Sequence, residues 1–259
     1  MRFISFNING VRARLHQLEA LRDAHAPAVI GLQETKVADD AFPREAIEAL
    51  GYHVCYHGQK GHYGVALLST VAPLDSAMGM PGDAPDEQRR LIRARYPFGD
   101  SSIDVINGYF PQGEARDHPV KFPYKERFYA RLRSLLQADY AATEHLLVMG
   151  DMNVAPQDRD IGIGADNAKR WLRSGKCSFL PEERAWWTAL TECGLQDSYR
   201  VLYPEVDDRF SWFDYRSRGF EREPKRGLRI DHILASRALL PRLAGAGIGY
   251  DIRAMEKPS

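Results

Sequence analysis

Three short apolar runs in the sequence each lead into side chains that carry oxygen or amide groups. The pairs are Asp151 and Asn153 after LLVM (146–149), Asn7 and Asn9 after ISF (4–6), and Gln33 and Glu34 after VIGL (29–32). Such runs predict buried strands, whose ends would present these groups at the rim of the fold. A hard cation such as Mg²⁺ binds through one or two carboxylates and keeps waters for a phosphate. Turn capping explains any one strand end equally well, but three together favour a metal site.

Other chemistry-bearing residues follow further predicted strands. Tyr109 and Gln112 lie in NGYFPQG (107–113), Trp212 lies in an aromatic block, and Asp231 lies in GLRIDH (227–232). Packing is the simpler interpretation of Tyr109 taken alone, and an ion pair with Arg229 is an alternative for Asp231. We expect His232 to be a packing residue, because adjacent side chains on a strand point to opposite faces.

Hydrophobic periodicity predicts strands alternating with helices along most of the chain. The predicted helices lie after the first strand until Pro27, then at 43–50, within 121–142, at 167–173 and at 182–193. The predicted strand pairs are 52–56 with 64–68, and 91–96 with 103–109, and a further strand covers 230–235. Hairpins mixed with helices indicate sheets covered by helices, and the absence of a linker predicts a single domain over residues 1–259.

Composition excludes several classes of protein. The 259 residues are 44% hydrophobic with a formal net charge of zero, which argues against disorder. No segment has the roughly 20 continuous apolar residues of a transmembrane span, and we expect no membrane association. Three widely spaced cysteines indicate neither a disulfide framework nor a zinc cluster. A reduced, cytoplasmic setting and a monomer are the simplest expectations.

The balanced charge hides two basic segments. Residues 169–176 contain four basic side chains and no acid, and residues 215–229 carry six basic side chains against two acidic ones. A basic rim around an acidic centre suits a polyanion such as nucleic acid, although either segment alone is more simply a solvated face.

Taken together, the motifs closely resemble the bacterial exonuclease III (AP endonuclease) family of the endonuclease/exonuclease/phosphatase superfamily. The matching segments span the whole chain in order: FNING (6–10), LQETK (32–36), GQKGHYGVALL (58–68), NGYFPQGE (107–114), GDMN (150–153), KRWLRSGKCSFLPEER (169–184), RFSWFDYRS (209–217) and GLRID (227–231). The resemblance implies an α/β fold, the DNase I-like four-layer sandwich of two mixed β-sheets flanked by helices.

The resemblance also implies a metal site. Glu34 is expected to be the principal Mg²⁺ carboxylate with Asn7 beside it, and Asp151 and Asn153 complete the set. Mn²⁺ is a possible substitute. Asp151 would orient or deprotonate the attacking water, and Asn153 would hold the scissile phosphate.

Two further catalytic roles follow from the same resemblance. Tyr109 would lie near the phosphate and hydrogen-bond developing charge, and Asp231 would orient a catalytic His. The implied reaction is in-line attack of water on a phosphodiester, which leaves a 3′-hydroxyl and a 5′-phosphate. The implied activities are 3′-to-5′ exonuclease on double-stranded DNA, endonuclease at abasic sites, and 3′-phosphatase.

Substrate contacts are implied as well. Trp212, Leu228 and Ile230 match a pocket wall for an abasic deoxyribose, although such residues are usually core. The expected contacts to duplex DNA, with abasic sites or 3′ ends as targets, are Gln112, Arg89, Arg90, Lys121, Lys125, Arg170 and Lys176.

The sequence departs from the family at its end. The family motif continues Pro-Ser-Asp-His, whereas this chain stops at Pro258-Ser259, so Asp231 has no His to orient. We interpret the ending as a truncation, and hypothesise that this chain binds DNA but cleaves it poorly. Two alternatives to a repair phosphodiesterase are a catalytically silent binder of damaged DNA, which the retained acids argue against, and an inositol-lipid phosphatase, which the aromatic block and basic segment disfavour.

Overall fold

The computed structural model describes residues 1–256, which divide into two compact units. The first unit comprises Met1–Tyr109, Thr143–Asp151 and the described part of Gly249–Ser259, and the second comprises Phe110–Ala142 and Met152–Ile248. The prediction of a single domain therefore stays a prediction.

The first sheet of the first unit has the strand order β1-β2-β4-β3. Its strands are β1 (Phe3–Asn7), β2 (Val29–Gln33), β3 (His53–His57) and β4 (Val65–Ser69). β1 and β2 are parallel because helix α1 (Leu15–His25) makes the crossover between them. β3 and β4 form the predicted hairpin and pair antiparallel.

The second sheet of this unit is also mixed. Its strands, in order of pairing, are β5 (Asp75–Met78), β6 (Leu91–Phe98), β7 (Ser101–Tyr109) and β8 (Leu146–Asp151). β6 and β7 pair antiparallel as predicted, whereas β7 and β8 are parallel. The two sheets pack face to face through β1, β2 and β4 on one side and β6, β7 and β8 on the other.

Burial explains why several strands of the first unit lack the alternation of apolar and polar residues that is typical of a half-exposed strand. Every residue of β2, β4 and β8 is buried, so these strands read as continuous apolar runs. The other face of the first sheet is covered by α1, α2 (Arg44–Glu48) and α7 (Tyr250–Arg253), which bury Leu18, Ile47 and Ile252 in one hydrophobic cluster. The predicted pair of mixed sheets with helices outside is confirmed.

The second unit contains four helices and four short strands. The helices are α3 (Lys121–Asp139), α4 (Ala165–Ser174), α5 (Pro181–Thr191) and α6 (Ser198–Leu202). The strands are β9 (Leu195–Asp197), β10 (Trp212–Phe213), β11 (Gly227–Leu228) and β12 (Asp231–Ser236). β9 pairs antiparallel with β12, and β10 pairs antiparallel with β11. The predicted helices α3, α4 and α5 are confirmed.

Within residues 1–256, no helix is long and apolar enough to span a bilayer.

Candidate active site

One amide joins the two carboxylates that the sequence singled out. Asn7 Nδ2 donates to Glu34 Oε1 at 2.8 Å and to Asp151 Oδ2 at 2.9 Å. The backbone N–H of Asn9 donates to Asn7 Oδ1 at 3.1 Å, which fixes the orientation of the amide. Asn7 ends β1, Glu34 directly follows β2, and Asp151 ends β8. Residues 27 and 144 positions apart from Asn7 therefore meet at one point.

Tyr109 belongs to the same group. It lies opposite Asp151 in the parallel ladder of β7 and β8. Burial raises the pKa of its phenol far above the ordinary value, and the neighbouring charges of Glu34 and Asp151 raise it further. With its pKa raised, the phenol stays protonated and can act as a hydrogen-bond donor.

Arg90 contacts both the ring and the backbone of Tyr109. Its guanidinium lies 4.6 Å from the centroid of the Tyr109 ring and 4.4 Å from that of Tyr63. Arg90 Nη1 also donates to the backbone carbonyl of Tyr109 at 3.0 Å. Arg90 is buried, and its Nε also donates to Gln88 Oε1 at 2.7 Å, so this predicted phosphate ligand is bonded to groups of the protein.

Lys36 lies at the site although the sequence reasoning did not select it. Its Nζ is 2.9 Å from Glu34 Oε2 and 2.5 Å from Asn9 Oδ1. Asn9, Glu34 and Lys36 all have left-handed φ angles, of 47°, 53° and 57°. This conformation costs non-glycine residues roughly 1–3 kcal/mol each and is concentrated at functional sites. The only signal in the sequence was the position of Lys36, two residues after Glu34.

The donor set fits a hard divalent cation. Glu34 and Asp151 supply carboxylate oxygens, and Asn7 supplies an amide beside both. One or two carboxylates, with waters and phosphate oxygens completing the shell, are the usual environment of Mg²⁺. The ammonium of Lys36 against Glu34 shows that this carboxylate already attracts positive charge. Residues 1–256 contain no group of three or more His, Cys, Asp and Glu side chains arranged to hold a metal.

Asn153 and Asp231 belong to the second unit. Asn153 is buried with φ 54°, and its Nδ2 donates to the carbonyl of Phe110 at 3.0 Å. Asp231 begins β12 and is half-buried, and its backbone N–H donates to Ser211 Oγ at 3.0 Å. The guanidinium of Arg229, the alternative partner for Asp231, instead contacts other carboxylates, described below.

The three residues predicted to wall a sugar pocket do lie together. Leu228 and Ile230 are buried in a hydrophobic cluster, and Trp212 packs against it half-buried. Trp212 and Leu228 face each other across the β10–β11 pair. Packing accounts for the two aliphatic residues, and only the Trp212 ring retains substantial exposure.

Four of the predicted phosphate contacts have exposed side chains, as a contact with DNA requires. Arg170 and Lys176 are exposed, and Lys176 Nζ lies 3.8 Å from the centroid of the Trp171 ring. Lys121 is exposed and pairs with Glu114 at 2.5 Å. The exposed Gln112 accepts a hydrogen bond through Oε1 from the backbone N–H of Glu114 at 2.7 Å.

The expectation for Lys125 was wrong. Its side chain is fully buried, and its Nζ lies 2.5 Å from Glu183 Oε1, which is equally buried. An internal ion pair cannot contact a phosphate in solvent.

Arg89 is partly exposed and pairs with Asp39 at 2.5 Å. The packing role expected for His232 is confirmed: the residue is buried, with its ring centroid 4.3 Å from that of Trp187.

Comparisons with known proteins agree with this geometry. The Endonuclease/Exonuclease/phosphatase family matches residues 4–259. Exodeoxyribonuclease III of Haemophilus influenzae is 60% identical over 259 residues, which cover 100% of this chain and 96% of that protein.

Solved structures extend the similarity to three dimensions. A 3′ phosphatase, NExo, from Neisseria bound to a product DNA hairpin has a TM-score of 0.89 and 36% identity. An AP endonuclease from Archaeoglobus fulgidus has a TM-score of 0.87 and 33% identity. In both comparisons 99% of this chain and 94% of the other are covered. The DNase I-like sandwich expected from the sequence is confirmed. Residues 257–259, after which the sequence analysis expects further residues, lie outside the described residues.

Proposed function

Because the chain belongs to the Endonuclease/Exonuclease/phosphatase family, we propose that it is a Mg²⁺-dependent DNA-repair phosphodiesterase. It would act on double-stranded DNA as a 3′-to-5′ exonuclease, as an endonuclease at abasic sites and as a 3′-phosphatase. The observation that carries the proposal is the Asn7 amide bonded to both Glu34 and Asp151. Similarity to an exodeoxyribonuclease III, a 3′ phosphatase and an AP endonuclease supports turnover over silent DNA binding.

Glu34 is the principal metal carboxylate of the proposal. Asn7 and Asp151 adjoin it, and Asn153 follows Asp151 by two residues. The bound ion would neutralise phosphate charge and stabilise the leaving oxygen. Lys36 compensates the charge of Glu34 from the protein side.

Protein side chains would supply the proton transfer, the charge stabilisation and the phosphate binding. Asp151 orients the attacking water and accepts its proton, so that a P–O bond forms as the bond to the 3′ oxygen breaks. Tyr109 stays protonated because its pKa is raised, and it donates to charge that develops on the phosphate oxygens. Asn153 binds the scissile phosphate, whereas the orienting role expected of Asp231 stays a prediction.

The proposed substrate is duplex DNA with abasic sites or 3′ ends. Exposed basic side chains on and after α4, among them Arg170 and Lys176, would contact the backbone without reading sequence. Trp212 would contact the extruded sugar. The protein would act as a monomer in the cytoplasm, a setting consistent with its three free cysteines.

Cleavage of three DNA duplexes tests the proposal: one with an abasic site, one with a recessed 3′ end and one with a 3′-phosphate. We expect turnover of each in Mg²⁺, substitution by Mn²⁺, and loss in EDTA. Glu34→Gln should lower kcat/KM on the order of 10²–10³-fold, because a metal supplies several kcal/mol of transition-state stabilisation. The matched control is Glu45→Gln, an exposed Glu in the first turn of α2.

Two results would contradict the proposal. One is unchanged cleavage by the Glu34→Gln variant. The other is DNA binding by the parent chain with no turnover in either metal, which would establish the silent binder instead.

A further inference from the structure

Three consecutive backbone carbonyls beside Asn153 each accept a hydrogen bond from a different buried side chain. Tyr129 Oη donates to Met152 O at 2.8 Å, Lys125 Nζ to Asn153 O at 2.9 Å, and His232 Nε2 to Val154 O at 2.8 Å. All three donors are at most 2% exposed. Lys125 and Tyr129 are four residues apart on α3 and so share one face of the helix.

Lys125 is itself fixed by an internal ion pair. Its ammonium lies 2.5 Å from Glu183 Oε1, with neither side chain exposed. Glu183 Oε2 accepts from the backbone N–H groups of Ser178 and Leu180, both at 2.8 Å. A buried charge is tolerated only when it is paired and its remaining atoms are hydrogen-bonded, so this arrangement holds the ammonium at one place.

His232 is fixed in one tautomer by Arg229. Arg229 Nη1 lies 3.0 Å from His232 Nδ1, and a guanidinium can only donate. Nδ1 is therefore the acceptor, and Nε2 carries the hydrogen that it donates to Val154 O. Arg229 is anchored in turn by Asp160 at 2.7 Å and Asp197 at 2.6 Å.

We propose that Lys125, Tyr129 and His232 are positioning residues that hold Asn153 in its working conformation. Asn153 has a left-handed φ of 54°, which free backbone of a non-glycine residue rarely adopts. Fixing the carbonyls on both sides of that φ keeps Asn153 Nδ2 on the carbonyl of Phe110 at 3.0 Å. The inference rests on the proposed function of Asn153 as the phosphate ligand.

The sharpest test removes a single oxygen. Tyr129→Phe keeps the ring and its packing but deletes the bond to Met152 O. The matched control is Tyr52→Phe, because Tyr52 is also buried and donates to a backbone carbonyl, that of Pro27, at 3.4 Å. Both variants would be assayed for kcat and KM on abasic duplex in Mg²⁺, and for hydrogen exchange of the peptide covering residues 150–156.

For Tyr129→Phe we expect kcat to fall about tenfold, since small displacements of positioning groups cost up to roughly 10²-fold. KM should change less than about twofold, because the exposed basic side chains proposed to hold the duplex are untouched, and exchange of residues 152–155 should accelerate. Tyr52→Phe should leave all three unchanged. Equal kcat and equal exchange in the two variants would overturn the inference.

A second pair guards against a general folding effect. His232→Gln retains an N–H donor for Val154 O, whereas His232→Leu has none. We expect Gln to recover most of the kcat that Leu loses, and equal loss in both would argue against positioning. If the parent chain proves inactive, the proposed function fails, while faster exchange in Tyr129→Phe would still establish that these donors fix the segment.

Discussion

The phenol of Tyr109 has two carboxylates for neighbours and a pKa raised mainly by burial. We therefore expect Tyr109→Phe to lower kcat by about 10²- to 10³-fold, the usual range for loss of a hydrogen-bond donor to developing charge. Mg²⁺ affinity should change little, since Glu34 and Asp151 remain. Steady-state kinetics over a Mg²⁺ titration measures both quantities. A kcat within twofold of the parent, or a large shift in the Mg²⁺ midpoint, would contradict the role of donor.

Part of the site could be predicted from the sequence, because several of its residues lie at the ends of apolar strands. Asn7, Glu34 and Asp151 follow apolar runs, and parallel pairing of β1 with β2 and of β7 with β8 brings such ends together. Lys36 could not be placed in this way, because its return to Glu34 depends on left-handed turns that the sequence does not specify. Lys125 was misread because its partner Glu183 is 58 residues away.

At the scale of elements, Gly31 of β2 lies where the two sheets of the first unit approach closely. A Cβ at Gly31 would lie 2.7 Å from both Asn107 Oδ1 and Met149 Cε. Asn107 cannot easily move, since its Nδ2 donates to Leu32 O and Ala66 O, both at 2.9 Å. We expect Gly31→Ala to lower the free energy of unfolding by about 1–3 kcal/mol through overpacking.

Urea denaturation measures this loss against Gly245→Ala, where an added Cβ meets nothing within 4 Å. An unchanged midpoint for Gly31→Ala would mean that the sheets can separate at no cost, contrary to the bonds of Asn107.

Helices and strands were predicted correctly where burial produces a long run of hydrophobic periodicity. They were missed where the element is short or exposed. The hairpin of β3 and β4 and the helix α3 carried clear periodicity. β5 was missed because it is an edge strand with mostly exposed residues. β10 and β11 have two residues each, too few for any alternation to appear.

For the whole molecule, the fold was predictable because the resemblance covers the chain in order, and neighbours at TM-scores of 0.87 to 0.89 agree. The division into two compact units was not predictable. Two of its four boundaries fall at Tyr109–Phe110 and Asp151–Met152, inside sequence motifs that show no break. No linker composition marks either boundary, because both follow directly from buried strands.

Global stability should depend on the buried cation Arg229 and its acids. Burial opposes ionisation of Asp197, yet the charge of Arg229 and its hydrogen bond to the carboxylate lower the pKa of Asp197 overall. Asp197→Asn leaves the α6 cap intact, since Asn can accept from the N–H groups of Tyr199 and Arg200. It removes a charge from a buried ion pair, so we expect a loss of about 3–5 kcal/mol in unfolding free energy at neutral pH.

The pH dependence of that loss separates charge from packing. Because the folded pKa of Asp197 lies below its unfolded value of about 4, its contribution is present above that pH and is lost as the pH falls towards the folded pKa. Urea unfolding of the parent and of Asp197→Asn should therefore differ by a constant amount from pH 7 down to pH about 4, and the difference should shrink as the pH falls further. The exposed Asp100→Asn serves as the control and should track the parent. If the difference in unfolding free energy stays constant at every pH, the loss comes from packing alone. The charges of the buried network would then contribute nothing to stability.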